Sequence, residues 1–414
     1  MSVAHPLRNR NARIAVLKFG GTSVAGREER AVAYGRVREA REEGFATVAV
    51  VSAMGRAPDS YATDSLLELV DRRGGTPNAD LLLSAGELIA AAVFADGLCA
   101  EGIDAVALSG AQAGIVTDAS HGDATILRVE PHAIVKILER DAVAVVAGFQ
   151  GATPDGAVTT LGRGGTDLSA IAIGHALEAQ RVDIYTDVSG AMTADPRRVP
   201  DARTIERASL TEMSELAGHG ARVMHHKAAE YADRTGTSYS VKSLNTDRGT
   251  LVEERYDPQR PVTGVTATGN LTWIRIIRGD IESPVRRMET ELEMFHRIAE
   301  AEISIDQVTI NQAGVAFAVA GDRGTEIRRL LADLNLAVRV REGCSKLSIV
   351  GSGMRNTPGV VHRVVDALSS ADVEIIHCTD SNVTISVLVP DDHVTRAELA
   401  VHERFGLARG EPSA

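Results

Sequence analysis

A chain of 414 residues with 44% hydrophobic content is long enough for two or three folded units, since domains usually run about 100–200 residues. Its net charge of −12, with acidic and basic residues interspersed, argues against a nucleic-acid binder that works through a basic stripe; 3% aromatic residues leave no stacking platform for single strands. Three distant cysteines, Cys99, Cys344 and Cys378, without a CxxC pair, exclude a disulfide framework and argue against structural zinc.

The polar start carries Arg8, Arg10 and Arg13, and the apolar stretch 14–17 behind it is too short for a signal-peptide core. No apolar run approaches the roughly 20 residues that cross a bilayer. The expectation is a short disordered arm over 1–12 and a cytoplasmic protein with no membrane partner. From there to about 179, short Val-, Ala- and Ile-rich runs at 14–19, 47–52, 105–108 and 142–149 alternate with helical patterns such as 27–43 and 80–98. Each run ends at or within two residues of a Gly or Ser, as expected of strands buried on both faces. The fold class is α/β, with an open, mainly parallel sheet flanked by helices, and ligands are sought beyond the carboxyl ends of those strands.

The strand at 14–19 ends in Lys18-Phe19-Gly20-Gly21-Thr22-Ser23. Paired glycines let a ligand approach the backbone and expose N–H groups as an anion nest. A lysine there adds a point charge, on the order of 4 kcal/mol at ~4 Å before desolvation. An ordinary glycine turn with a solvated lysine is equally open, and GxxxxGK[ST] is absent. In a helical stretch, Glu87 is a carboxylate among apolar neighbours, so it faces either a cationic ligand or water.

Residues 159–167 (TTLGRGGTD) open a helix predicted over 168–179. Three glycines, a guanidinium and a helix start converge here, a setting suited to a carboxylate or phosphate. Arg163 can bind a carboxylate bidentately, while Asp167 either orients an ammonium group or caps the helix. Further on, a strand ends in Thr186-Asp187 and a polar loop runs to Asp195-Pro196-Arg197. Such a loop can wrap an adenine and ribose, or be a surface turn. Arg222 starts another helix and could reach phosphates; the adjacent His225 and His226 point apart and are poor joint metal ligands.

Near 255 the pattern changes. Residues 256–261 (YDPQRP) read as a linker, and two units of about 70 residues follow, a self-similarity that marks duplicated modules. Helical stretches at 286–301 and 358–371 each lead into paired strands, at 303–310 and 315–320 and at 373–378 and 383–389, so each unit fits β-α-β-β-α-β.

KFGGTS, VSAMG, SAGE, VAGFQG, TTLGRGGTD, TDVSGAMTADPR and GARVMH stand in this order, and the set resembles the aspartokinases from about residue 13 to the end. The two C-terminal repeats look like the paired ACT domains of those enzymes, and residues 52–67 look closest to the diaminopimelate-responsive subgroup. The resemblance implies an amino-acid kinase fold over 13–255, an ACT domain over 262–342 and a second over 343–414, both α+β and ferredoxin-like, the second completed by a strand from about 251–264. It implies ATP-dependent phosphorylation of the L-aspartate β-carboxylate to 4-phospho-L-aspartate, the first step toward lysine and diaminopimelate, threonine and methionine. Lys18, Phe19, Gly20 and Gly21 would hold the ATP phosphates with Ser52 nearby, and Tyr185, Thr186, Ala191, Met192, Thr193, Ala194, Asp195, Pro196 and Arg222 would contact the nucleotide. Thr63, Glu87, Arg163, Gly164, Gly165, Thr166 and Asp167 would position aspartate, with Lys18, Arg163 and Asp167 as the catalytic groups.

Mg²⁺ would travel on the phosphates, so no protein metal site is demanded. Asp306 and Asn311 match positions that line an effector pocket, for lysine, threonine or meso-diaminopimelate, and ACT pairing implies a homodimer. The chain departs from the family pattern at Thr166 (for Ser), at Arg222 (for Lys), at His225-His226-Lys227-Ala228 and at Lys242 (for Arg). Arg286-Arg287-Met288-Glu289 replaces a turn whose counterpart is kept at Asn356-Thr357-Pro358-Gly359. No departure deletes a charge. The competing readings are a kinase of the same fold acting on another substrate, which would lack the ACT pair, and an idle amino-acid sensor, which has no need of Lys18, Glu87, Arg163 and Asp167.

Overall fold

The computed structural model describes residues 13–71, 75–221, 223–254, 260–277, 284–321, 323–334, 336–354 and 357–408. The expected arm at 1–12, Arg222 and Asn356 lie outside them. The chain divides into two compact units. The first comprises the described residues within Met1–Ala191, Thr204–Gly218 and Arg222–Tyr256, and the second those within Met192–Arg203, His219–Ala221 and Asp257–Ala414.

The first unit is built on an eight-stranded sheet. Its centre is the strand Arg13–Phe19, flanked by Phe45–Val51 and Arg181–Thr186, with Val143–Ala147 and Ala105–Leu108 continuing on one side. All of these pairings are parallel, as the both-sides-buried Val and Ala runs predicted. On the other side Tyr239–Ser243 pairs parallel to Arg181–Thr186 and antiparallel to Gly249–Glu253. A separate four-stranded sheet, made of strands of three or four residues between 115 and 160, was not foreseen.

The helix Pro77–Ala100 starts on Thr76, whose hydroxyl accepts the Ala79 N–H, with Pro77 in the first turn, where a missing N–H costs nothing. It is long and apolar enough to cross a membrane by length and composition, contrary to the expectation of no such segment. Asn78, Asp80, Ser84 and Glu87 break the run to the eye, and half of its apolar window is buried inside the unit. The helix expected at 168–179 begins earlier, as Gly165–Ala176, capped by a left-handed Gly164.

The second unit carries one six-stranded antiparallel sheet in the order Ile305–Asn311, Gly314–Ala320, Gly264–Ile277, Ala337–Val350, Thr384–Pro390, His377–Asp380. The two central strands are 14 residues each and run through both halves. A register shift between Thr268 and Leu271, with Asn270 and Gly343 left-handed, breaks them at the same level, as a bulge does. Residues 271–277 and 337–341 therefore serve the first module, and 264–268 and 344–350 the second. The first half reads β-α-β-β-α-β along the chain, whereas the second runs β-α-β-β-α from 344 on and takes its remaining strand, 264–268, from before the first half, a departure from the repeat expected of both. Each has its own core, Ile274, Met294 and Phe317 in one, Leu347, Val364 and Val401 in the other. The strand that completes the second module is 264–268, not 251–264, because Gly249–Glu253 is taken up by the first unit's sheet. The expected boundary at 342/343 falls inside the strand Ala337–Val350.

Candidate active site

Parallel strands end together, so the loops that follow them converge. Here the ends of Arg13–Phe19, Phe45–Val51, Val143–Ala147 and Arg181–Thr186 meet at a cavity of about 650 Å³. Of the residues singled out in the sequence it brings together Lys18, Gly20, Gly21, Ser52, Thr63, Glu87, Arg163, Gly164, Gly165, Thr166, Asp167 and Thr186.

Lys18 is nearly buried, and its Nζ lies 2.7 Å from Asp167 Oδ1. Asp167 projects from the first turn of Gly165–Ala176, whose positive dipole end favours its charge. The Ser52 hydroxyl donates to Thr166 Oγ1 at 3.0 Å, so the threonine that stands where the family pattern has serine keeps a polar contact. Two glycines permit the close approaches: a Cβ on Gly21 would meet the Ala53 carbonyl at 2.7 Å, and one on the left-handed Gly164 would collide with the His225 side chain. Arg163 is exposed at the rim, in no ion pair among the described residues. Glu87 is 2% exposed; its Oε1 accepts the Ala53 N–H at 3.2 Å and its Oε2 has no partner among the described residues. Burial without a counter-charge pushes its pKa up to about 8.

Phe19 and Tyr185 do not line the cavity. They are opposite each other in the sheet, their rings stack at 5.3 Å, and both are buried on the side away from Lys18 and Thr186. Side chains alternate along a strand, so only one of each adjacent pair can face a ligand.

Nor do Ala191, Met192, Thr193, Ala194, Asp195 or Pro196 line it. Ala191 is buried in the first unit, its N–H donating to Thr250 Oγ1. From Met192 to Arg203 the chain is part of the second unit. There the Thr193 carbonyl accepts the Val265 N–H, its hydroxyl lies 2.9 Å from His402 Nε2, and Ala194 packs with Val199 and Ala202. Asp195 pairs with Arg197 and Arg198, and Arg198 with the buried Glu398. Asp306 and Asn311 sit on an edge strand of the second unit. Asp306 forms an ion pair with the buried Lys346, and the Asn311 side chain accepts the Ala313 N–H at 2.9 Å in the hairpin turn.

Several lining residues were missed. Arg56, which follows directly on the VSAMG motif, pairs at 3.0 Å at the mouth with Asp187, a strand-end residue read in the sequence but given no role there. Gly122 reaches the cavity because Asp80, fully buried, fixes its loop: it accepts from the Gly122 N–H and the Thr160 hydroxyl and lies 2.7 Å from His121 Nδ1. Asp80 reads as a helix-start residue in the sequence, and its partners lie about 40 and 80 residues away.

Residues 13–243 match the model of the amino acid kinase family, and residues 347–405 that of an ACT domain. The class of protein is thus an amino acid kinase joined to a C-terminal ACT region. The chain is similar to Aspartokinase 1 of Bacillus subtilis, 40% identical over 408 residues that span 96% of this chain and 100% of that one. It is similar also to an aspartokinase of Geobacillus stearothermophilus, at 38% over 95% and 98% of the two chains. Among solved structures, that of E. coli aspartokinase III in complex with aspartate and ADP superposes with a TM-score of 0.75 at 24% identity, covering 95% of this chain and 100% of that one, which shows the shared fold. The chain belongs to the aspartokinases of the amino acid kinase family.

Proposed function

We propose that this chain transfers the γ-phosphoryl group of ATP to the side-chain carboxylate of L-aspartate, and that the cavity at the strand ends is where it does so. The observation that carries the reading is the convergence there of a glycine nest, a near-buried lysine, a guanidinium in no ion pair among the described residues, and the carboxylates of Glu87 and Asp167. Lys18 and the N–H groups of Gly20 and Gly21 fit the phosphates. Arg163 fits the α-carboxylate, and Glu87 or Asp167 the ammonium group, which leaves the β-carboxylate free.

A carboxylate oxygen attacks the γ-phosphorus, the bond to the β-phosphate oxygen breaks, and ADP leaves with that electron pair. No general base is required, because an aspartate side chain is ionised well below neutral pH, at about 3.9. The protein's contribution is positioning and charge neutralisation. Mg²⁺, when bound to the nucleotide, would neutralise phosphate charge further, and the acidic and polar lining beside Lys18 is compatible with it.

The reaction is assigned to the cytoplasm. Control by an amino acid at the second unit, near Asp306 and Asn311, and a homodimer formed through that unit complete the reading. Sedimentation as a monomer at micromolar concentration would exclude the dimer. Initial rates of ADP release, measured with aspartate and in parallel with glutamate, acetylglutamate and carbamate, test the substrate. Aspartate is expected to be preferred, and faster turnover of any other acid would overturn the assignment. Repeating the assay with lysine, threonine and meso-diaminopimelate identifies the effector as the one that suppresses the rate.

A further inference from the structure

Glu87 is in an unusual electrostatic position for a pocket that handles charged ligands. The charged groups around it are already engaged. Lys18 is held by Asp167 at 2.7 Å, His121 lies against Asp80, and Arg56 is paired with Asp187. Arg163 stands exposed at the rim, and the short helix Thr63–Leu67, packed against the Glu87 helix, brings only the exposed Asp64. The strands behind the helix, Phe45–Val51, Ala105–Leu108, Val143–Ala147 and Val158–Thr160, contribute no charge. Around Gly86 the packing is equally apolar or backbone: Ala53, Leu66 and the Tyr61 carbonyl. Among the described residues Glu87 thus has the Ala53 N–H on Oε1, nothing on Oε2, and no cation.

A carboxylate in that setting carries the full cost of desolvation, and the protonated form is favoured until a cation arrives. Burial alone raises its pKa to about 8. We infer that Glu87 is protonated in the ligand-free cavity and gives up its proton to solvent when the substrate's ammonium group docks against it, so that capture of the amino acid is coupled to proton release. This rests on the reading of the cavity as an aspartate site. The exchange balances: a neutral carboxyl and an ammonium cation become a carboxylate–ammonium pair, and one proton leaves for bulk water. The pocket thereby avoids holding an unpaired buried charge between turnovers.

The coupling has a measurable sign. Aspartate should bind more tightly as pH rises from 6 toward 8, by close to tenfold per pH unit for a one-proton linkage, and the dependence should level off above about 8.

The experiment is calorimetric titration of L-aspartate into the full chain saturated with a non-hydrolysable ATP analogue at pH 7, in two buffers of different ionisation enthalpy. The expected result is release of nearly one proton per aspartate bound. In Glu87→Gln, release should vanish along with the pH dependence of KM, while KM itself rises. Heat that is the same in both buffers for the unaltered chain would overturn the coupling even if the variant fails to fold. A chain that gives no heat with aspartate would instead sink the substrate assignment, and the coupling with it.

Discussion

Replacing Lys18 with alanine should separate the two jobs its charge performs. In the ligand-free chain Nζ sits 2.7 Å from Asp167 Oδ1, with side chains 10% and 13% exposed. Removing one partner of a fully buried pair costs about 3–5 kcal/mol; this pair is slightly open to water, so a stability loss on the order of 2–3 kcal/mol is expected. The catalytic loss is larger. One charge ~4 Å from a phosphate oxygen, at an effective dielectric near 20, is worth about 4 kcal/mol, and at about 1.36 kcal/mol per tenfold that is roughly a thousandfold in turnover. Melting and steady-state ADP release on Lys18→Ala, and on the double variant Lys18→Met with Asp167→Asn, distinguish the effects. The double variant should regain most of the melting temperature and none of the rate. A folded Lys18→Ala chain that turns over within about threefold of the unaltered one would refute the assignment of Lys18 to the phosphates.

Three further outcomes follow from the same geometry. Glu87 has an ordinary pKa of 4.5 when unfolded and about 8 when folded, so the native state holds the proton more tightly. The stability this gives is complete below the lower value and is lost as pH rises through the higher one, by an upper bound on the order of 5 kcal/mol. Urea midpoints at pH 5 and 8 should differ less in Glu87→Gln than in the unaltered chain, and an unchanged difference would contradict this. Gly164→Ala puts a side chain on a residue with φ of 70°, against His225; it should cost about 1–3 kcal/mol in melting and most of the turnover, whereas an unaffected chain would show that the turn relaxes freely. Asp80→Asn loses the charge that holds the Gly122 loop and should cost about 1–3 kcal/mol together with a drop in turnover; loss of stability alone would show that the loop does not shape the cavity.

Much of the first unit was legible because its signals are local. The Val-rich runs at 14–19, 47–52 and 142–149 became central strands within a residue or two, and the glycines behind them became cavity lining. Motif strings were less informative residue by residue. Lys18 and Phe19 belong to one motif, yet strand alternation sends them to opposite faces, as it does Tyr185 and Thr186. The segment from Met192 to Arg203 was hidden for a different reason. What holds it, Glu398, His402 and Leu407, lies about 200 residues away in sequence, and no local pattern records such partners. The doubled use of Gly264–Ile277 depends on a bulge at Gly269 and Asn270, which breaks a strand that otherwise reads as continuous. The helix Pro77–Ala100 was foreseen over 80–98, but its apolar length was not, because a few buried polar residues interrupt the run.

The most direct test of the central claim is chemical trapping of the product. Incubating the chain with ATP, Mg²⁺, L-aspartate and hydroxylamine should yield aspartate β-hydroxamate, identified by mass, in step with ADP and absent when aspartate is omitted. ADP formed without hydroxamate, or a hydroxamate of another acid formed in preference, would contradict phosphoryl transfer to the aspartate side chain.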